Sequence, residues 1–137
     1  MQIDCAIGID CGVTTGYSIW NVKEKKFEVI SSGGILEVMS KLEVYAIFGN
    51  NLFFIENPNL RKWYGKNSNA KLQGAGSIKR DYSIWLEWFK INNAEFREVN
   101  PKDIRTKLSS ESFKNLTNWS ERTNEHSRDS AMIVFGK

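Results

Sequence analysis

Two short apolar runs in this chain each end on a carboxylate, and they constrain its fold more than any other feature. Cys5-Ala6-Ile7-Gly8-Ile9 leads into Asp10, and Leu52-Phe53-Phe54-Ile55 leads into Glu56. Apolar runs this short read as buried strands rather than helices. Past Asp10 the chain turns through Cys11-Gly12-Val13-Thr14-Thr15 and resumes as a strand from Gly16 to Asn21. Pro58 prevents the second run from extending. A strand that delivers a carboxylate into a Gly/Thr turn holds it on a rigid element. The glycines let a metal or a phosphate come close to the backbone. Taken alone, the Asp10 turn suits either a metal-dependent nuclease or a sugar-kinase-like phosphate loop.

The pattern around these runs predicts the rest of the architecture. Lys26–Gly33 reads as a third strand, joined to the second by a charged hairpin connection at Val22–Lys26. Ile35–Phe48 has a loose helical pattern carried by Leu36, Met39, Leu42, Val44, Ala46 and Ile47. A strand reached through a helix is expected to pair in parallel, so Leu52–Glu56 should lie beside and parallel to Cys5–Asp10. Asn57–Gln73 is a polar loop, longer than ordinary connections. Gly74–Lys90 is the clearest helix, with Ile78, Tyr82, Trp85 and Phe89 on one face. Leu86 and Trp88 widen that face beyond what a single core contact needs. Glu95–Val99 reads as the last strand. Asn100 as a cap and Pro101 at the first helical position predict a short helix through Leu108. Ser109–Thr123 is polar apart from Phe113 and Trp119, and Asn124–Phe135 reads as a final helix. The order β-β-β-α-β-α-β-α-α predicts an α/β fold. It should be one domain over residues 1–137, with a mixed five-stranded sheet and helices on both faces.

Charge is unevenly spread. Residues 1–56 carry four basic and seven acidic side chains, whereas residues 57–137 carry fifteen and nine. Arg61, Lys62, Lys66, Lys71, Lys79 and Arg80 fall in one stretch with no acid between Arg61 and Arg80. A positive block beside an acidic site suits a polyanionic partner. A plain solvated basic loop is the other reading. Cys5 and Cys11 flank one strand and its turn, a poor disulfide pair and a poor metal pair. They read as reduced thiols, as expected in the cytoplasm. No segment has the length of a membrane span, so no membrane partner is expected. Asp4, with no basic stretch ahead of an apolar run, speaks against a signal peptide.

Three acids stand out by position: Asp10, Glu56 and Asp129, the last near the start of the final helix, with His126 three residues before it on the same helix face. If the two acid-terminated strands are parallel neighbours, Asp10 and Glu56 emerge at one sheet edge. The final helix can then bring His126 and Asp129 over it. Converging carboxylates repel unless a cation lies between them. Hard oxygen donors on rigid elements suit Mg²⁺ or Mn²⁺. Two such ions can activate a water and stabilise the leaving oxygen of a phosphodiester. His126 either binds the second ion or positions the water. Singly, each residue has a structural reading: an Asx turn for Asp10, a strand-end charge for Glu56, a helix-dipole partner for Asp129. Asp4, Asp81, Asp103, Glu121 and Glu125 read as surface charges.

With Asp10 and Glu56 at two strand ends and the helix His126-Ser127-Arg128-Asp129-Ser130-Ala131, the chain resembles the RuvC-like Holliday junction resolvases of the RNase H-like superfamily. The similarity is strongest to compact phage or bacterial members, judged by Gly74-Ala75-Gly76-Ser77, Lys79-Arg80-Asp81 and Arg122-Thr123-Asn124-Glu125 before His126. It spans nearly the whole chain. The resemblance implies a homodimeric, Mg²⁺-dependent endonuclease, with Mn²⁺ able to substitute, that cuts four-way or branched DNA. It implies two ions per site, held by Asp10, Glu56, His126 and Asp129, and no nucleotide cofactor. It also implies an aromatic side chain that enters the junction, for which Trp63 and Tyr64 are the candidates. Arg61, Lys62, Lys66, Lys71, Lys79 and Arg80 are the expected phosphate contacts.

Three rival readings differ in class. Asp10-Cys11-Gly12-Val13-Thr14-Thr15-Gly16 also resembles the phosphate loop of actin/hexokinase-type phosphotransferases, although 137 residues do not supply the two lobes that such a fold closes on a nucleotide. A silent nucleic-acid-binding module of the nuclease fold would have no use for the retained acids. A nuclease of this fold acting on flaps, forks or RNA–DNA hybrids fits the sequence as well as a junction resolvase does.

Overall fold

The computed structural model describes residues 2–60 and 69–137, and of residues 69–75 the backbone path only. Its strands are β1 (Cys5–Asp10), β2 (Thr14–Asn21), β3 (Lys26–Gly34), β4 (Asn51–Glu56) and β5 (Phe96–Val99). Its helices are α1 (Ile35–Ile47), α2 (Asn69–Ile91), α3 (Ser110–Thr117) and α4 (Glu125–Val134), with 3-10 turns at Pro58–Leu60 and Pro101–Asp103. The strands form one mixed sheet in the order β3-β2-β1-β4-β5. β1, β2 and β3 pair antiparallel, while β4 pairs parallel to both β1 and β5. The expected five-stranded α/β architecture, with β1 and β4 as parallel neighbours, is therefore present.

Side-chain alternation along each strand sorts the molecule into two cores. Ile7 and Ile9 of β1, Tyr17 and Ile19 of β2, and Phe53 and Ile55 of β4 pack on one face. They meet Val38, Met39 and Leu42 of α1 and Tyr82, Trp85 and Phe89 of α2. Ala6, Trp20 and Phe54 lie on the opposite face with Phe113 of α3 and Ala131, Ile133 and Val134 of α4. Each large side chain so buried contributes roughly 1.5–3 kcal/mol. By the same alternation Asp10 and Glu56 belong to the α4 face, whereas Cys11 belongs to the α2 face.

Several local expectations are corrected. α2 begins at Asn69, not Gly74. Its 23 residues span about 34 Å, against about 20 Å for the six residues of β4. The helix thus outruns the sheet at its N-terminal end, and Ile78 is 42% exposed instead of joining the core. Leu86 and Trp88 are half-buried against the chain's own core, Trp88 edge-on to Phe53 and Trp85. The helix expected from Pro101 to Leu108 is only the turn Pro101–Asp103. Asn100 does cap it, accepting from the Lys102 amide at 3.2 Å. Ile104 then takes extended backbone and goes into the core. The eighth element is instead α3, a polar stretch with little helical periodicity; it is anchored by one residue, Phe113. Among the described residues no helix is long and apolar enough to cross a membrane.

Candidate active site

α4 lies on the sheet because two positions beneath it have no side chain. A Cβ at Gly16 would collide with the backbone carbonyl of His126, and a Cβ at Gly8 with that of Ser130. Between them Ser18 Oγ shares a hydrogen bond with Ser130 Oγ at 2.6 Å, and Ser130 Oγ donates to the Ser127 carbonyl at 2.7 Å. Ser18 and Ser130 are both wholly buried, so these bonds satisfy hydroxyls that would otherwise be costly there. The start of the helix is fixed by a capping box. The Ser127 amide donates to Asn124 Oδ1 at 2.9 Å, and the Asn124 amide donates to Ser127 Oγ at 2.9 Å. Asn124 Nδ2 also donates to Ser32 Oγ of β3 at 2.6 Å. Helix register over the sheet is thereby set, and with it the placement of His126 and Asp129.

That register brings the expected groups to one edge. Asp10 and Glu56 each follow the paired residues Ile9 and Ile55, so they leave adjacent parallel strands side by side. His126 Nδ1 lies 3.3 Å from Asp10 Oδ2. The Asp129 carboxylate accepts the Lys107 amide at 2.8 Å through Oδ1. Burial, and then the negative charge of Asp129 and Glu56, push the Asp10 carboxyl up to about 7, against the opposing hydrogen bond from His126. Burial also raises the Asp129 carboxyl; the Lys107 amide works against that shift, while the charges of Glu125 and Glu56 add to it. Glu125, read from sequence as a surface charge, is exposed but close enough to strengthen this negative field.

Two residues below the edge were not assigned to the site from sequence. Asp81 is only 2% exposed, not a surface charge. The Cys11 thiol is held well above its ordinary range by burial and then by the charges of Asp10, Glu56 and Asp81. Asp81 therefore lies on the α2 face of the same edge, opposite the face that carries Asp10. Its place in Lys79-Arg80-Asp81, between two exposed bases and a buried tyrosine, was the only sequence signal. Arg80 Nη2 is 3.6 Å from Asp81 Oδ1, but Arg80 is largely solvent-exposed and such a pair contributes little.

The donor chemistry fits a hard divalent cation. Two of the carboxyls, Asp10 and Asp129, are driven toward protonation by burial and by neighbouring negative charges, which a cation would relieve. As placed, no three acid, imidazole or thiol groups among the described residues are gathered closely enough to enclose one ion. Of the expected phosphate contacts, Lys79 and Arg80 are exposed on α2. Arg61, Lys62, Trp63, Tyr64 and Lys66 lie outside the described residues, as does the side chain of Lys71.

No family model matches the chain, and no curated protein matches it. Solved structures do. The structure of T. thermophilus RuvC in complex with a Holliday junction substrate aligns with a TM-score of 0.58 at 11% identity. The match covers 94% of this chain and 89% of that one. Identity so low speaks to the fold alone. The chain has the mixed α/β fold of RuvC and the RNase H-like proteins.

Proposed function

We propose that this chain is a metal-dependent, structure-selective endonuclease that resolves four-way or branched DNA junctions by paired phosphodiester hydrolysis. One observation carries the reading: Asp10 and Glu56 leave adjacent parallel strands at the edge over which α4 holds His126 and Asp129. The similar structure named above holds a Holliday junction, which favours branched DNA over other polyanions.

In this reading Asp10, Glu56, His126 and Asp129 hold two Mg²⁺ ions, with Mn²⁺ able to substitute. Bound there, the ions would supply an activated water and stabilise the leaving oxygen. The chain's own residues do the remaining work. β1 and β4 keep the backbones of Asp10 and Glu56 side by side, so that side-chain rotation alone would close their carboxylates on an ion. His126 restrains Asp10 through Nδ1. Lys79 and Arg80 hold phosphates by charge, together with Arg61, Lys62, Lys66 and Lys71. Trp63 or Tyr64 stacks on a base exposed at the junction centre. Two copies joined through α2 would place two sites for paired cuts. Ile84 and Ile91, 37% and 75% exposed on one side of that helix, support such a contact.

The test is to incubate the protein with labelled four-way junction, flap, duplex and RNA–DNA hybrid in Mg²⁺, with ATP turnover followed in parallel. Symmetric nicks in the junction with little duplex cleavage are expected. Preferential cutting of flaps or hybrids would move the activity to another nuclease of this fold. Binding without any cleavage would make the chain a nucleic-acid-binding module, and ATP hydrolysis would make it a phosphotransferase.

A further inference from the structure

The segment between the Pro101–Asp103 turn and α3 contains a lysine with left-handed backbone, Lys107, at φ 57°. The other non-glycine residues described with positive φ sit where a turn or cap calls for one. Lys25 is in the β2–β3 hairpin, Asn93 just past α2 and Asn118 at the C-cap of α3. Lysine has no short polar side chain to favour that region. Lys107 is held in it from outside. Its amide donates to Asp129 Oδ1 at 2.8 Å. The carbonyl of the next residue, Leu108, accepts from Arg128 Nε at 2.8 Å, and Arg128 Nη1 donates to Thr123 Oγ1 at 3.0 Å. Leu108 itself packs against the core below α4. Two consecutive residues of the segment are thus tied to two consecutive residues of α4.

We infer that the backbone amide of residue 107, locked by its left-handed conformation and by the Arg128–Leu108 bond, is a positioning device that aims the Asp129 carboxylate at a divalent cation. The terminal torsion of an aspartate is a broad, nearly two-fold rotor. A donor on one oxygen selects one orientation before any ion arrives, and partners of this kind set both orientation and affinity at metal sites. The work is done by the peptide N–H, not by the lysine ammonium, and Arg128 acts only through Leu108. The inference rests on Asp129 as a metal-holding residue in the reading above.

Mn²⁺ binding to the full chain without DNA, followed by electron paramagnetic resonance and calorimetry, separates the possibilities. Lys107→Gly keeps the N–H, accepts positive φ and loses the ammonium; its Mn²⁺ affinity should match the wild type. Lys107→Val disfavours the left-handed backbone and Lys107→Pro removes the N–H; both should bind Mn²⁺ ~10- to 100-fold more weakly. Circular dichroism and melting establish that each variant is folded, and Lys107→Val decides the matter should Lys107→Pro not fold. Equal weakening in Lys107→Gly and Lys107→Val would assign the effect to the side chain and overturn the inference. Wild-type affinity in Lys107→Val would overturn it as well. The bond is also read directly: the Lys107 amide should exchange slowly with solvent, and quickly in Asp129→Ala. Fast exchange in the wild type would overturn the inference without touching the nuclease reading. A wild-type chain that binds no Mn²⁺ would remove both.

Discussion

Asp10 Oδ2 and His126 Nδ1 lie 3.3 Å apart although 116 positions separate them in the chain. Their meeting joins the first strand to the last helix and defines the edge at which Glu56 and Asp129 also stand. With Asp10 charged, the bond forms when Nδ1 carries its proton.

Removing charge at this edge should stop catalysis and spare binding. Asp10→Asn, Glu56→Gln and Asp129→Asn should each abolish Mg²⁺-dependent cleavage of a four-way junction, while gel-shift affinity in Ca²⁺ or EDTA stays near the wild type. His126→Ala should lower the rate less, by ~10- to 100-fold, because water can replace a nitrogen donor. Cleavage at the wild-type rate by any acid variant would remove that residue from the site.

The shifted acid gives the metal-free protein a characteristic pH dependence. Asp10 keeps its proton to about 7 in the folded chain, whereas an unfolded aspartate loses it near about 3.9. Across that window the folded state binds more protons, so this contribution to stability is complete below it and lost by its upper end. The melting temperature in EDTA should therefore fall between pH 5 and pH 7.5 by more in the wild type than in Asp10→Asn. Mg²⁺ should remove much of the difference at the upper pH. Parallel melting curves for the two proteins would contradict the burial of this charge.

Helix register should matter as much as the site residues. Gly16→Ala puts a methyl group into the carbonyl of His126. It should cost roughly 1–3 kcal/mol of stability by denaturant titration, and it should lower cleavage further by displacing His126 and Asp129. Ser18→Ala removes the hydroxyl that meets Ser130 Oγ and the Ser127 carbonyl and introduces no clash; about 1 kcal/mol is expected, with cleavage retained. Equal behaviour of the two variants would show that close approach at Gly16 is not what seats α4.

DNA contact should divide by chemistry. Lys62→Glu and Lys79→Glu should weaken all DNA binding and flatten its salt dependence, each by about one counterion in the slope. Trp63→Ala or Tyr64→Ala should cost roughly 1–3 kcal/mol of junction affinity and leave both melting temperature and weak duplex binding unchanged. A lower melting temperature with every substrate affected alike would mean that these aromatics pack onto their own domain. Unchanged salt slopes in both lysine variants would place the DNA elsewhere.

Assembly through α2 should respond to its outward apolar residues. Ile84→Glu with Ile91→Glu should convert a dimer to a monomer by light scattering at micromolar concentration without lowering the melting temperature of the monomer. A wild-type monomer, with and without DNA, would count against paired cutting by two copies.

What the amino-acid sequence determined by itself is local. Cys5–Asp10 and Leu52–Glu56 were legible because an apolar run ending in an acid and a turn needs no distant partner to be recognised. Asn124 was legible as a helix start because its capping bonds are made within four residues. Taking the two strands as parallel neighbours likewise brought Asp10 and Glu56 to one sheet edge, as the pairing of β1 with β4 bears out. Tertiary structure decided what depends on contacts far apart in the chain. α3 is polar around Phe113 and exists because that one ring fills the core beneath α4. Pro101 and Asn100 began a helix as their chemistry demands, but the burial of Ile104 and the tie from Lys107 to Asp129 ended it after one turn. Asp81 looked like any helix-surface acid, and only the packing of α2 on the sheet buries it near Cys11. The site itself depends on Gly8 and Gly16, whose meaning comes from a helix more than a hundred residues away. A glycine in a strand shows that something can come close; the fold alone shows what does.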